Sequence, residues 1–272
     1  MTSTDLPRVV VTDMDGTVVR RDETVSDRTK EAFERLAERG VTVIAATGRG
    51  PRLQEWTLSQ IPAAHHLVMG QGAFVYDTHA NDRPVQLASQ YVSGRVLADA
   101  VGRIEEQVDN VFLVAESADP DAPLRGDEMP VWPWELPRSN TPREEALAGE
   151  FVKLYFWPES LDSDTVLEKA SPLLEGSPVG ITESGVGILE LGPAGMDKWR
   201  GIEPILDRLD AGWHDVLAFG DAINDLGMLE RAGRAVAMPQ GHRRVIDTAP
   251  EAAPGDNDQD GVAQYIERLL GD

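Results

Sequence analysis

The run Arg8-Val9-Val10-Val11-Thr12-Asp13-Met14-Asp15-Gly16-Thr17 is where the fold can first be read. Val9, Val10 and Val11 show no apolar/polar alternation, so they predict a strand buried on both faces, the pattern of a parallel sheet. The strand ends in two carboxylates separated by one residue. Open α/β sheets place their ligands at the carboxyl ends of strands. Asp13 and Asp15 repel each other there unless a cation or a shared proton intervenes. Mg²⁺, which takes hard oxygen ligands and keeps several waters, is the simplest such cation. Gly16 permits a tight turn and Thr17 offers a hydroxyl. The competing reading is an acidic turn, since Asp and Gly are common turn formers.

The pattern repeats downstream. Ser26 can cap a helix running to about Glu38, with Phe33, Leu36 and Ala37 as its apolar stripe and Gly40 as its stop. Val41–Ala46 reads as a second buried strand ending in Thr47-Gly48-Arg49, with a helix from about Pro51. His66–Met69 is a third strand, ending at Gly70-Gln71-Gly72. This β-α-β-α-β alternation predicts a parallel sheet. From about Ala73 the pattern changes. Ala73–Tyr76 and Val85–Ala88 flank Asn81-Asp82 as a hairpin. A helix over Ser93–Val108 and a strand from Val111 follow, then a loop over Glu116–Asn140. Beyond it come a helix start at Thr141-Pro142, a strand over Phe151–Trp157, a helix over Asp162–Leu174 and strands over Val179–Thr182 and Val186–Leu191. Parallel-sheet logic returns after Gly192: a helix within Lys198–Leu209, its regular part placed late by Pro204, then a strand over Val216–Phe219. Gly220-Asp221-Ala222-Ile223-Asn224-Asp225 leads into a helix to about Arg231; a strand over Ala235–Met238 and a helix over Gly261–Leu270 complete the chain. The expected fold class is α/β, a Rossmann-like parallel-sheet core over residues 1–80 and 192–272 interrupted by an inserted α/β domain over 81–191.

Composition narrows the functions available. The 272 residues are 41% hydrophobic, enough for a packed core, and contain no Cys. Disulfides, thiolate metal sites and cysteine nucleophiles are therefore excluded. No run approaches the length of a membrane span. The expected setting is cytoplasmic, without membrane partners. The net charge of −22 repels nucleic-acid phosphates and anionic lipid, and any phosphate site needs local positive charge. Lysine occurs at positions 30, 153, 169 and 198 alone, so a lysine within a suspected site is informative.

Four polar clusters fall at the carboxyl ends of predicted parallel strands or beside them: Asp13/Asp15, Thr47-Gly48-Arg49, Lys198, and Asp221/Asn224/Asp225. Together they supply what phosphoryl transfer requires: a carboxylate nucleophile, a second carboxyl as acid and base, acidic metal ligands, and donors for the equatorial oxygens. Asp13-Met14-Asp15-Gly16-Thr17, Ala46-Thr47-Gly48-Arg49, Lys198 and Gly220-Asp221-Ala222-Ile223-Asn224-Asp225 resemble, in the same chain order, the four signature motifs of the haloacid dehalogenase-like hydrolase superfamily. The insertion resembles the large α/β cap (type IIB) of its Cof-type phosphatase branch, and Asp260-Gly261-Val262-Ala263 resembles that branch's C-terminal signature.

The resemblance implies a Mg²⁺-dependent phosphatase that acts on a small phosphorylated metabolite, a sugar phosphate above all. It implies a cap that closes with the core over substrate. Asp13 would be the nucleophile. Asp15 would be the general acid/base and lend its backbone carbonyl to Mg²⁺. Thr47, the Gly48 backbone, Lys198 and Asn224 would hold the phosphoryl group. Asp221 would ligate the metal, and Asp225 would support the metal shell or Lys198. A phosphomutase and a non-catalytic phospho-receiver or binding protein are the alternatives. The chain departs from the family where relatives often carry Asn-Gly and Gly-Asn: it has Gln71-Gly72 and Pro239-Gln240. Arg49 reads as a structural ion-pair partner. Trp132 and Trp134 read as a sugar-binding face or as self-packing loop aromatics. Asp256, Asp258 and Asp260 read as a solvated loop, and the histidines as structural or surface residues.

Overall fold

In the computed structural model, which describes residues 6–81, 83–108, 111–128, 132, 135–158, 162–183 and 188–271, the valine run is a strand, β1 (Val9–Asp13), with every residue buried. β2 (Thr42–Ala46), β3 (His66–Met69), β4 (Phe74–Asp77) and β5 (Val85–Ser89) follow. The next strands are β6 (Val92–Ser93), β7 (Val111–Ser117), β8 (Leu124–Gly126), β9 (Arg138–Asn140), β10 (Glu150–Pro158), β11 (Val179–Glu183) and β12 (Leu189–Pro193). β13 (Val216–Gly220), β14 (Arg234–Ala237) and β15 (Glu251–Ala252) come last.

Two compact units result, Met1–Ser89 with Asp197–Asp272, and Gln90–Met196. The first is built on a sheet of order β15-β14-β13-β1-β2-β3-β4-β5. It is parallel from β15 to β3 and antiparallel from β3 to β5. β1 lies at its centre, with Val9 opposite both Val216 and Thr42 and Asp13 beside Ala46. That register brings the chain segments after β1, β2 and β13 out along one edge of the sheet, the ligand edge of such folds. Ile202, Ile205, Leu206 and Met228 pack against Val9, Val11, Ile44 and Ala218. The helix Asp27–Glu38 starts where Ser26 accepts a hydrogen bond from the Thr29 amide, a cap worth about 1 kcal/mol, and buries Ala32, Phe33 and Leu36. At the far end of β3 the His65 ring stacks on His79, 4.6 Å between centroids, a structural pairing.

The second unit is an antiparallel sheet, β11-β12-β10-β7-β8, with β9 added in parallel and β6 against β10. One face packs Leu113, Leu154 and Leu189 against Leu97, Ile104 and Val166 of two helices, Gly94–Glu105 and Ser163–Leu173. The other face carries Val114, Tyr155 and Ile188. It also holds an ion pair between Lys153 and Glu190 (2.7 Å) and a hydrogen bond from the Tyr155 hydroxyl to Glu116 (2.9 Å).

Several expectations shift. β5 pairs with β4 and so belongs to the core sheet, which carries both chain crossings later than the residue pattern placed them. The turn residue Asp82 and the start of the strand expected from Val186 lie outside the described residues. The expected loop 116–140 contains β8 and β9; three residues each are too short to show a period, and backbone pairing of β8 to β7 and of β9 to β8 makes them strands. The helix carrying Lys198 is regular from Lys198 itself and accommodates Pro204, with Asp197 as its cap. Trp132 packs edge-on against Tyr155, with centroids 5.3 Å apart; Trp134 lies outside the described residues.

Candidate active site

β1 delivers Asp13 to the sheet edge almost fully enclosed, 4% exposed. Lys198 opens a helix whose burial extends over its first residue, so its side chain is driven inward and fully buried. Its Nζ donates to Asp13 Oδ1 and to Asp225 Oδ1, the latter at 2.6 Å. Asp225 is itself held by the turn after β13: its Oδ2 accepts from the amides of Asp221 (3.0 Å) and Ala222 (2.9 Å). Asp221 accepts from the Thr17 hydroxyl at 2.8 Å. Two glycines make the crowding possible. A Cβ on Gly16, at φ +83°, would lie 2.4 Å from Asp221 Oδ2, and one on Gly220 would lie 2.6 Å from the Asp225 Cβ.

Three carboxylates thus face one ammonium. Oxygens of Asp13, Asp221 and Asp225 lie within 4.8 Å of one another. Burial, then the Asp225 charge, pushes the Asp13 carboxyl well above the usual carboxylate range, against the pull of Lys198. Burial and Asp225 likewise push Asp221 up to about 6. Burial opposes the Lys198 charge, but Asp13 and Asp225 outweigh it and hold the ammonium above its ordinary range. Such a site has too little positive charge for its carboxylates, and the donor set is all hard oxygen. It fits a divalent cation of the Mg²⁺, Mn²⁺ or Ca²⁺ kind.

The other anticipated residues surround this cluster. Thr47 follows the residue paired with Asp13; it is buried, and its Oγ1 accepts from the Arg49 amide at 3.0 Å. Asn224 donates to Gln71 Oε1 at 3.3 Å. Asp15 stands apart from the buried carboxylates. Its side chain is 48% exposed and gripped by Arg49, with Nη2 to Oδ1 at 2.6 Å and Nε to Oδ2 at 3.0 Å. The Arg49 guanidinium lies 3.9 Å from the centre of the Trp56 ring.

Arg49 is therefore an ion-pair partner, but of a candidate catalytic carboxyl. Its place directly after Thr47-Gly48 was the available signal; nothing in the sequence pointed to Trp56. Gln240 Nε2 donates to the Gly16 carbonyl at 2.6 Å and so supports the turn after Asp15. Gln71 has φ +56° between Gly70 (+58°) and Gly72 (+95°), a left-handed conformation that costs a non-glycine residue about 1 kcal/mol or more.

A family model described as haloacid dehalogenase-like hydrolase matches residues 10–266, and the chain belongs to that family of hydrolases. It is 27% identical over 277 residues to an HMP-PP phosphatase of Yersinia pestis (strain Pestoides F), covering 97% of this chain and 95% of the relative. It is 24% identical over 261 residues to the 5-amino-6-(5-phospho-D-ribitylamino)uracil phosphatase YcsE of Bacillus subtilis (strain 168), covering 95% and 94%. Among solved structures, the HAD subclass IIB sugar phosphatase BT4131 shares the fold, with a TM-score of 0.74, 18% identity, and coverage of 97% and 99%. The α/β core with its inserted α/β unit is thus a fold found in that subclass. Among the described residues no helix is long and apolar enough to cross a membrane.

Proposed function

We propose that the chain is a phosphatase that hydrolyses a small phosphorylated metabolite, of the sugar phosphate class, through an aspartyl phosphate on Asp13 with Mg²⁺ as cofactor. The observation that carries this reading is the enclosed Asp13 carboxyl bonded to Lys198, amid carboxylates that one ammonium cannot neutralise. Names of relatives support the substrate class: two are phosphatases of small phosphorylated compounds, and a structural neighbour is a sugar phosphatase. A cysteine-free chain accords with a cytoplasmic setting, and its charge with the absence of nucleic-acid partners.

Asp13, Asp221 and Asp225, with the Asp15 carbonyl, would hold Mg²⁺. Bound there, the ion supplies positive charge that keeps Asp13 ionised beside an anionic substrate. The Asp13 oxygen attacks phosphorus and the ester P–O bond breaks. Asp15, once it leaves the Arg49 pair and takes up a proton, gives that proton to the leaving oxygen, then takes one from the water that attacks the acyl phosphate. That second attack breaks the Asp13–phosphorus bond and releases phosphate. Thr47, the Gly48 backbone, Lys198 and Asn224 hold the phosphoryl oxygens.

The test is phosphate release with Mg²⁺ across sugar phosphates, nucleotides and phosphorylated acids. Turnover should be greatest on a sugar phosphate and should fall by more than about a thousandfold in Asp13→Asn, whose fold persists. Substrate rearranged with little phosphate released would assign a phosphomutase instead. Normal turnover by Asp13→Asn would remove the nucleophile from this scheme.

A further inference from the structure

We propose that Gln71 is a phosphate-anchoring residue, its side-chain amide donating to the phosphoryl group alongside Gly48 and Asn224. The inference rests on the phosphatase reading and adds to it a ligand that the motifs do not contain.

Three observations converge. The first is position. Gly70 N donates to the Arg49 carbonyl (2.9 Å) and Gln71 N to that of Thr47 (3.3 Å), so the turn after β3 is stitched to the Thr47-Gly48-Arg49 loop. The second is the amide itself. Its Oε1 accepts from Asn224, while its Nε2 lies so close over Gly48 that a Cβ there would approach to 2.6 Å. The carboxamide thus spans two of the groups assigned to the phosphoryl oxygens. Its Nε2 finds no acceptor among the described residues, so a donor is left over at that point. The third is backbone conformation. Gly70 and Gly72 need to be glycine, because a Cβ would strike Phe74 (2.9 Å) and the Asp197 carbonyl (2.3 Å). Gln71 shares their positive φ but is not glycine. Glycine would hold this conformation without strain, so a non-glycine residue here points to a side chain kept for function.

Glycine at position 71 should relieve strain while removing the amide, which separates binding from folding. The experiment compares wild type, Gln71→Gly and Gln71→Glu with Mg²⁺ present. It measures the inhibition constant of inorganic phosphate, KM and kcat on the best substrate of the screen, and the melting midpoint. Gln71→Gly should melt at or above wild type. Its phosphate inhibition constant and KM should rise about tenfold, the loss of one hydrogen bond to a charged group, with kcat changed less than about threefold. Gln71→Glu, of equal size but carrying a negative charge, should weaken phosphate by about a hundredfold. Unchanged phosphate inhibition in Gln71→Gly, or in Gln71→Glu, while wild type binds and releases phosphate normally, would overturn the role of Gln71 and leave the phosphatase reading standing. Wild type that neither binds nor releases phosphate would overturn both.

Discussion

The core unit carries two groups of three aspartates, and they behave in opposite ways. Asp256, Asp258 and Asp260 crowd one short loop, yet each has its own partner. Asp260 accepts from Arg20 (2.5 Å) and Ser26 (2.7 Å), and Asp258 from the Arg21 amide (3.0 Å). Asp256 caps the turn through the Gln259 amide (2.9 Å). With Asn257 donating to the Val19 carbonyl (2.8 Å), this loop fastens the C-terminal segment to the chain just after β1. Asp13 comes from a segment far in the chain from the turn that holds both Asp221 and Asp225; Asp13 and Asp225 share one lysine, and Asp221 accepts from the Thr17 hydroxyl. Acidic crowding alone therefore marks nothing. What distinguishes a site is negative charge that the protein leaves uncompensated.

Breaking the lysine of the second group should have the largest effect. Lys198→Met should abolish turnover and, without metal at pH 7.5, cost about 3–5 kcal/mol, because it strands buried carboxylates. Denaturant titrations with and without Mg²⁺ check it: the cation should restore part of the loss. A loss that Mg²⁺ leaves untouched would place the ion elsewhere.

Titration should come next. The folded Asp221 carboxyl, at about 6, lies above its unfolded value near 4, so the native state binds the proton more tightly. Stability from this group is present below about pH 4 and is lost as pH rises through 6, by up to about 3 kcal/mol in metal-free protein. Asp221→Asn lacks that slope. The stability difference between variant and wild type, measured in chelator at pH 4 and pH 7, should therefore widen in favour of the variant at the higher pH.

The compensated group should respond as an ordinary structural one. Asp260→Asn keeps a side chain that tolerates φ +60° but loses the ion pair, and should cost about 1–2 kcal/mol with Mg²⁺ affinity unchanged. Asp258→Asn, whose partner Arg21 is 78% exposed, should change the melting midpoint least, by less than about 1 kcal/mol equivalent. A fall in metal affinity in either variant would merge the two groups that the structure separates.

The elements that were legible in the sequence are those whose burial leaves a run or a period. β1, β2 and β13 are continuous apolar strands, and the helices Asp27–Glu38 and Gly261–Leu270 keep their stripes. β8 and β9 left no such trace: three residues each show no period, and the burial of Leu124 against Val114 and Tyr155 is a tertiary contact. In the site, Asp13, Lys198, Asp221 and Asp225 were legible because carboxylates and a rare lysine follow buried strands or open a buried helix. Arg49 reads as an ion-pair partner and is one, but that its partner is Asp15 was not legible, since an ion pair read from sequence has no address.

The sequence by itself determined the parallel core, the inserted unit and the acidic segments at the strand ends, because hydrophobic pattern and glycine placement act locally. Only the tertiary structure decided which charges meet: that Asp225 shares Lys198 with Asp13, that Asp15 turns to Arg49, and that Gln71 bends left-handed over Gly48. Electrostatic partnership depends on distances of a few ångströms between residues far apart in the chain, and folding alone sets those distances.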